Sequence, residues 1–457
     1  MAVLPRACII GAGSSGITAA KALQDCGIPF DCYEKSDCIG GLWVFGNKNG
    51  LSAAYRTLHI NSSRPSMSYA DFPMPKTIPF YPHHTHIAAY FNAYVDHFGL
   101  RDKITFNTAV EHAVRRRDGT WEITLEGGTV RHYDALLVAN GHHWDPRWPE
   151  PPVPGRFDGV EMHSHAYRDN AMLAGKDVVV VGMGNSAMDI AVESSYVARH
   201  TYLVARRGVY VIPKYLFGRP GDLLPFPLSL GDPRIPPYIR RHIPWRVRQA
   251  VTQAVLRLAV GRPEAYGLPK PEHGILQAHP TVSDAILSRL GHGAMTPKPA
   301  IAALLGDRVR FADESVVEAD VIVYCTGYKI SFPFFDTAII AARNNDLPLF
   351  RRVFKPDIDN LFFIGFVQPW GSIMPIAEAQ SKLVADYLRG AYALPPPGAL
   401  RRSLERERSA MFSRYVTSKR HTMQIDVDDY LYDLAQERQA GIERARRRAD
   451  RVLVGSR

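Results

Sequence analysis

Short apolar runs that stop at a glycine recur along this chain, and the longest-patterned of them are followed by a helical period. Ala7-Cys-Ile-Ile10 is uniformly apolar, GAGSSG follows, and Ile17–Gln24 repeats with helical spacing until Gly27. Pro29–Glu34, PFDCYE, then resumes an extended pattern. An unbroken apolar run of this length suits a strand buried on both faces, so the order reads strand, turn, helix, strand. It returns at Asp177–Val181, GMGNSA, a helix through Val192 and a strand at Thr201–Ala205. Asp134–Asn140, Asp320–Gly327 and Asn360–Gly365 predict further buried strands with their turns, and Ile376–Leu388 predicts a helix.

The proline-dense loop GHHWDPRWPEPPVPG marks a boundary after the first unit. Residues 208 to about 300 are rich in proline and glycine, with one clear helix near Arg246–Val260, and read as an excursion that shapes a substrate route. The predicted fold class is α/β, with two Rossmann-like dinucleotide-binding domains and the second inserted in the first. Expected bounds are 1–170 for the first part of the first domain, 171–295 for the second, and 296–457 for the return with a helical tail.

The 457 residues are 46% hydrophobic and 22% charged, ample for more than one core. Lys and Arg outnumber Asp and Glu by 55 to 45. A basic surplus can serve nucleic acid, a membrane surface or a polyanionic cofactor. In Ser403–Arg414 and Glu443–Arg451 the signs alternate, as on a solvated helix, and no basic stripe carries aromatics, which argues against nucleic acid. No apolar run reaches the roughly 18–20 residues that span a bilayer. The five cysteines (Cys8, Cys26, Cys32, Cys38, Cys325) include no Cys-x-x-Cys pair and fit a reducing cytoplasm. His83, His84 and His86 sit in a Pro-flanked loop without a nearby acid or thiol, which disfavours a metal, and His142-His143 read as loop residues.

Gly11, Gly13 and Gly16 form G-x-G-x-x-G between a strand and a helix. Gly11 makes the tight turn, Gly13 leaves room for a pyrophosphate, and Gly16 lets the helix press on the strand. Backbone N–H groups there, with Ser14, would face phosphates. Glu34 stands at the end of the next strand, where a carboxylate accepts from ribose hydroxyls. The following loop, with Lys35 and the run Gly41-Leu42-Trp43, is placed along FAD, although Trp43 equally suits a core. The second fingerprint has Gly182 and Gly184, Asn185 and Ser186 as added donors, and Ala187 at the packing position. Its next strand ends not in an acid but in Arg206-Arg207, which would grip a 2′-phosphate and so selects NADPH over NADH. One flavin site and one nicotinamide site imply hydride transfer between them.

Phe157, Gly159, His163 and Tyr167 fit F-x-G-x-x-x-H-x-x-x-Y directly before the second fingerprint. With this signature the chain resembles the flavin-containing monooxygenases. Asn61-Ser-Ser-Arg-Pro, Cys325-Thr-Gly-Tyr328 (Cys for the family's Ala), Glu264-Ala-Tyr-Gly-Leu268 and Arg420-His-Thr-Met-Gln424 resemble further family segments. The tail RRRADRVLVGSR leads to the expectation of no hydrophobic C-terminal extension like that of mammalian members, and residues 208–290 match only in patches. The resemblance implies an FAD- and NADPH-dependent monooxygenase in which O2 adds at flavin C4a. The resulting hydroperoxide would oxygenate a soft nucleophile, an amine or a sulfide. It places Asn61 beside the flavin as the catalytic residue, adds Ser62, Thr326, Gly327 and Gln380 to the cofactor contacts, and gives the four signature residues a linker role. Asn61 in NSSRP could instead cap a turn. A homodimer is compatible with the family.

Three rivals stand beside this reading. A Baeyer–Villiger oxygenase would use the same intermediate on ketones, but that branch usually carries Trp where Tyr167 stands. A flavin disulfide reductase would need a redox cysteine pair, and Cys32 and Cys38 lie too far apart in sequence. A redox-sensing protein would hold both nucleotides without catalysis.

Overall fold

The computed structural model describes residues 3–224, 243–416 and 421–455. Residues 225–242 of the excursion and Arg420 of the tail motif lie outside them.

Each predicted fingerprint strand is the middle of a five-stranded parallel sheet. In the first, Ala7–Ile10 lies between Phe30–Tyr33 and Ala135–Val138, with Ile104–Thr105 and Leu361–Phe363 at the edges. In the second, Asp177–Val181 lies between His200–Val204 and Val321–Tyr324, with Val160–His163 and Thr296–Lys298 outermost. Successive residues of a strand face opposite sides. Ala7 and Ile9 therefore enter one core while Cys8 and Ile10 enter another, and Val178 and Val180 separate likewise from Val179. Burial on both faces is why these strands read as continuous apolar runs.

Helix Ser14–Asp25 covers one face of the first sheet and runs against Met374–Leu388, the helix predicted at Ile376–Leu388; the Thr18 and Ser381 hydroxyls meet at 3.3 Å between them. An antiparallel meander, Val110–Arg115, Trp121–Leu125 and Val130–Tyr133, packs Trp121 and Ile123 on the other face. The last helix, Val427–Gly455, returns Tyr430 and Leu434 to the first core. The predicted excursion helix spans Trp245–Ala259. No helix among the described residues is long and apolar enough to cross a membrane.

The second sheet reaches past the expected 171–295 span on both sides. Val160–His163 joins its edge from the linker, and Thr296–Lys298 and Val321–Tyr324 join after it. The stretch that holds the Phe157–Tyr167 signature thus contains an edge strand followed by a 3-10 turn, Ser164–Ala166. Val160 and Glu161 are exposed, so the strand lacks the apolar run that betrays central strands.

Candidate dinucleotide cradles and the linker between them

Both fingerprints form the same cradle. Gly11 has φ +98°, and a Cβ there would stand 2.8 Å from the Ala139 carbonyl oxygen. At Gly16 a Cβ would stand 1.8 Å from the Gly11 oxygen, so only glycine lets helix and strand touch. At Gly13, by contrast, the nearest heavy atom is the Gly41 Cα at 3.9 Å, which leaves the approach to the backbone open. Helix Ser14–Asp25 begins at Gly13 with no side-chain cap and no acid in its first turn. Unpaired N–H groups and the dipole therefore face this opening, the arrangement a pyrophosphate needs. The Gly41–Trp43 turn closes one side, and Trp43 packs its ring on the first core.

Glu34 is buried, and burial raises its carboxyl above the usual range. Its two oxygens accept from the Ala12 and Ser36 amides at 2.7 Å each, which pulls the other way. The acid expected to meet ribose thus also fixes the fingerprint turn, and each oxygen keeps a further lone pair for a hydroxyl. Lys35 is exposed beside it. Gln380, expected beside the cofactor, is wholly buried with both ends of its amide engaged: Oε1 accepts from Gly365 N at 2.8 Å and Nε2 donates to the Tyr430 hydroxyl at 2.7 Å. At Gly365 a Cβ would stand 2.2 Å from Ser15 Oγ at the helix start.

In the second cradle Gly182 has φ +130°, and a Cβ there would stand 2.8 Å from the Cys325 oxygen. Helix Asn185–Ser194 starts at Gly184, again without side-chain cap or acid in its first turn. Asn185 Oδ1 accepts from Val282 N at 2.9 Å, so only its NH2 remains for a phosphate, while Ser186 stays half-exposed in the first turn. Arg206 and Arg207 follow strand His200–Val204, both exposed, with no hydrogen bond or ion pair among the described residues. Thr326 donates its hydroxyl to the Arg147 carbonyl, and Arg147 N donates to Gly327 O at 2.9 Å, which ties that motif to the linker. Asn61 is half-buried, and its carboxamide has no hydrogen-bond partner among the described residues; Ser62 beside it is likewise half-buried.

The four signature residues each fasten the linker. Phe157 packs with Val179, Val204 and Ile322. A Cβ on Gly159 would stand 2.5 Å from Asp320 O and 2.7 Å from the Phe157 ring. His163 caps the turn by accepting from His165 N at 3.1 Å, and burial pushes its imidazole down to about 4, so it is neutral at physiological pH and suited to packing rather than proton transfer. Tyr167 is fully buried and donates to Glu193 Oε2. Gly159→Ala is accordingly expected to cost about 1–3 kcal/mol by overpacking, read as a lower Tm in a thermal melt. An unchanged Tm would contradict the close contact.

The family description "FMO-like: Flavin-binding monooxygenase-like" fits residues 5–442. The chain belongs to this family. Flavin-containing monooxygenase 5 of Rattus norvegicus is 32% identical to it over 444 residues, covering 94% of this chain and 82% of the relative. Among solved structures, S-allyl-L-cysteine S-oxygenase from Allium sativum superposes with a TM-score of 0.69 at 23% identity, over 98% of this chain and 94% of its own. Cyclohexanone monooxygenase from Rhodococcus sp. Phi1 bound to NADP+ gives 0.69 at 17% identity, over 95% and 97%. At those identities the two structures establish the shared fold. This flavin-binding monooxygenase-like chain is an oxidoreductase of the flavin monooxygenase type.

Two features were beyond sequence reasoning. One is the amide pairing of Glu34 and Gln380. The other is a pair of acids, Asp189 and Glu193, inside the helix of the second fingerprint. Their i, i+4 spacing on an otherwise apolar helix was the available signal. Among the described residues no metal-binding group of His, Cys, Asp and Glu gathers. His83 instead caps helix His84–His97 and bonds the Arg56 carbonyl at 2.7 Å.

Proposed function

We propose that the first cradle holds FAD, the second holds NADPH, and the chain transfers one oxygen atom of O2 to the sulfur or nitrogen of a small sulfide or amine. The balance is NADPH, H+, O2 and substrate in, and NADP+, water and S-oxide or N-oxide out. The observation that carries the reading is the pair of uncapped helix starts after positive-φ glycine turns, with two exposed guanidiniums, unpaired among the described residues, following the second alone. The bound flavin supplies the oxygen activation. The chain supplies position. Glu34 keeps lone pairs for a ribose, Arg206 and Arg207 take a 2′-phosphate, and Asn61 offers an NH2 donor that cannot release a proton. A donor of that kind suits a site where stray proton delivery would discharge oxygen as H2O2.

Heteroatom oxygenation is preferred to ketone oxidation because the linker signature ends in Tyr167. The Allium sativum protein of the same fold is itself an S-oxygenase. A cytoplasmic setting fits five free thiols. The test is NADPH consumption by the purified flavoprotein with sulfides, tertiary amines and ketones, and product identification by mass spectrometry. A one-oxygen gain on sulfide or amine is expected. Ester or lactone from ketones alone would move the chain to the Baeyer–Villiger reading. No product from any class, with NADPH intact, would leave only the redox-sensing alternative.

A further inference from the structure

The segment that carries Asn61 precedes the linker in sequence and pairs with the first half at Leu58 and Ile60, where Leu58 O accepts from His84 N at 2.9 Å and Ile60 N donates to Pro82 O at 3.0 Å, yet its side chains also reach the nicotinamide half. Tyr55 sends its hydroxyl to Asp189, and Thr57 sends its hydroxyl to Glu193 Oε1. The other Glu193 oxygen takes the hydroxyl of Tyr167, whose ring lies 5.8 Å from that of Tyr55. Tyr55 and Leu58 pack into the apolar cluster of the second sheet, with Met188 and Ala191. Beyond Asn61, Ser63 N donates to Asp222 Oδ2 at 2.7 Å, on a turn of the excursion. The Tyr55–Ser63 segment is therefore shared: its middle pairs with the first half, while Tyr55, Thr57 and Ser63 are tied to residues of the second.

The two acids sit one turn apart on one face of helix Asn185–Ser194, whose uncapped start is the second fingerprint. Acids half-buried in an apolar helix are costly unless bonded, and their bonds go to this segment. A cleft of about 200 Å³ borders them, lined in part by His59, Lys214 and Asp284. Burial lifts the Asp189 carboxyl to about 6.

We propose that Asp189 and Glu193 are positioning residues for Asn61: through Tyr55 and Thr57 they strap its segment to the nucleotide-binding helix, so that a nucleotide on the second fingerprint fixes where the carboxamide stands. This rests on the readings that the second cradle takes NADPH and that Asn61 faces the flavin. Ordering the helix start by phosphate contacts lowers the cost of ordering whatever is strapped to that helix. The strap then stiffens the flavin-facing donor when nucleotide is present.

The test uses 2′-phospho-ADP-ribose, which fills the phosphate sites but lacks the nicotinamide that could touch Asn61 directly. Amide hydrogen exchange is followed in the flavin-loaded protein. In the unaltered chain the ligand is expected to slow exchange across residues 55–61 by about 3- to 10-fold, the weight of one or two hydrogen bonds. Asp189→Ala and the milder Tyr55→Phe should lose that response while still binding the ligand by calorimetry. Asp189→Asn keeps an oxygen for Tyr55 and should restore it. In turnover, the share of NADPH that ends as H2O2 should rise in Asp189→Ala toward that of Asn61→Ala, with the rate of anaerobic flavin reduction unchanged. A ligand that binds without slowing residues 55–61, or an unchanged response in Tyr55→Phe and Asp189→Ala, overturns the strap. Failure of the unaltered chain to bind the ligand overturns the nucleotide assignment beneath it.

Discussion

Gly11→Val is expected to give protein that purifies without flavin, and Gly182→Val to give protein that stays yellow but is not reduced by NADPH. The two positions pose the same physical problem. Each has positive φ, +98° and +130°, where a β-branched residue is strained by about 1–3 kcal/mol. Each would also drive a Cβ to 2.8 Å from a backbone oxygen that belongs to the neighbouring central strand or the turn after it, Ala139 in one sheet and Cys325 in the other. Overpacking of that kind adds about 1–3 kcal/mol. Relief must come from shifting the turn, and the turn is what presents the phosphate-binding amides. A loss above about 2 kcal/mol lowers affinity more than tenfold. Flavin content by visible absorbance and anaerobic reduction by NADPH read the two outcomes separately. Because the substitutions are matched, each serves as the folding control for the other. A fully flavinated Gly11→Val protein would sink the first assignment, and a colourless Gly182→Val protein would show that the two cradles are not independent.

How much of this was visible beforehand follows from where each residue's partners lie. Ala7–Ile10 and Asp177–Val181 announced themselves because a strand buried on both faces has no polar position to spare. The fingerprint glycines were legible because their partners are a few residues away, or belong to the adjacent strand. The edge strands were not. Thr296–Lys298 is three residues with a central proline, and Val160–His163 exposes a valine and a glutamate while burying a histidine, so neither carries a run or a period. The meander of residues 110–133 alternates only in part: Arg115 and Arg131 share the inward face with Trp121 and Ile123, and Val114 and Val130 share the outward face with His112, Glu122 and His132. Long-range polar pairs were invisible for a different reason. Tyr55 and Asp189 are 134 residues apart, and nothing in either local pattern specifies the other. Gln380 shows the same limit: its place on a helix was legible, but the bond from Gly365 N to its amide oxygen, 15 residues away, was not.

Replacing both Arg206 and Arg207 by alanine is expected to raise the KM for NADPH by about 10- to 100-fold and to leave that for NADH within about twofold. The estimate rests on charge-assisted hydrogen bonds worth roughly 1.5–3 kcal/mol each, reduced because both side chains are exposed and solvent-screened. Nothing in the described protein competes for these guanidiniums, so their removal leaves no buried acid uncompensated and should not lower stability. NADH lacks the 2′-phosphate and gains nothing from them, which is why the ratio of the two kcat/KM values is the decisive quantity. Raising ionic strength should erode the NADPH preference of the unaltered chain and have little effect on the variant. The maximal rate of flavin reduction should be preserved, since the adenosine end is remote from the hydride. Equal losses with both coenzymes would mean that the arginines serve the fold and that the 2′-phosphate is held elsewhere. A KM for NADPH that does not move at all would remove the reason for choosing NADPH over NADH.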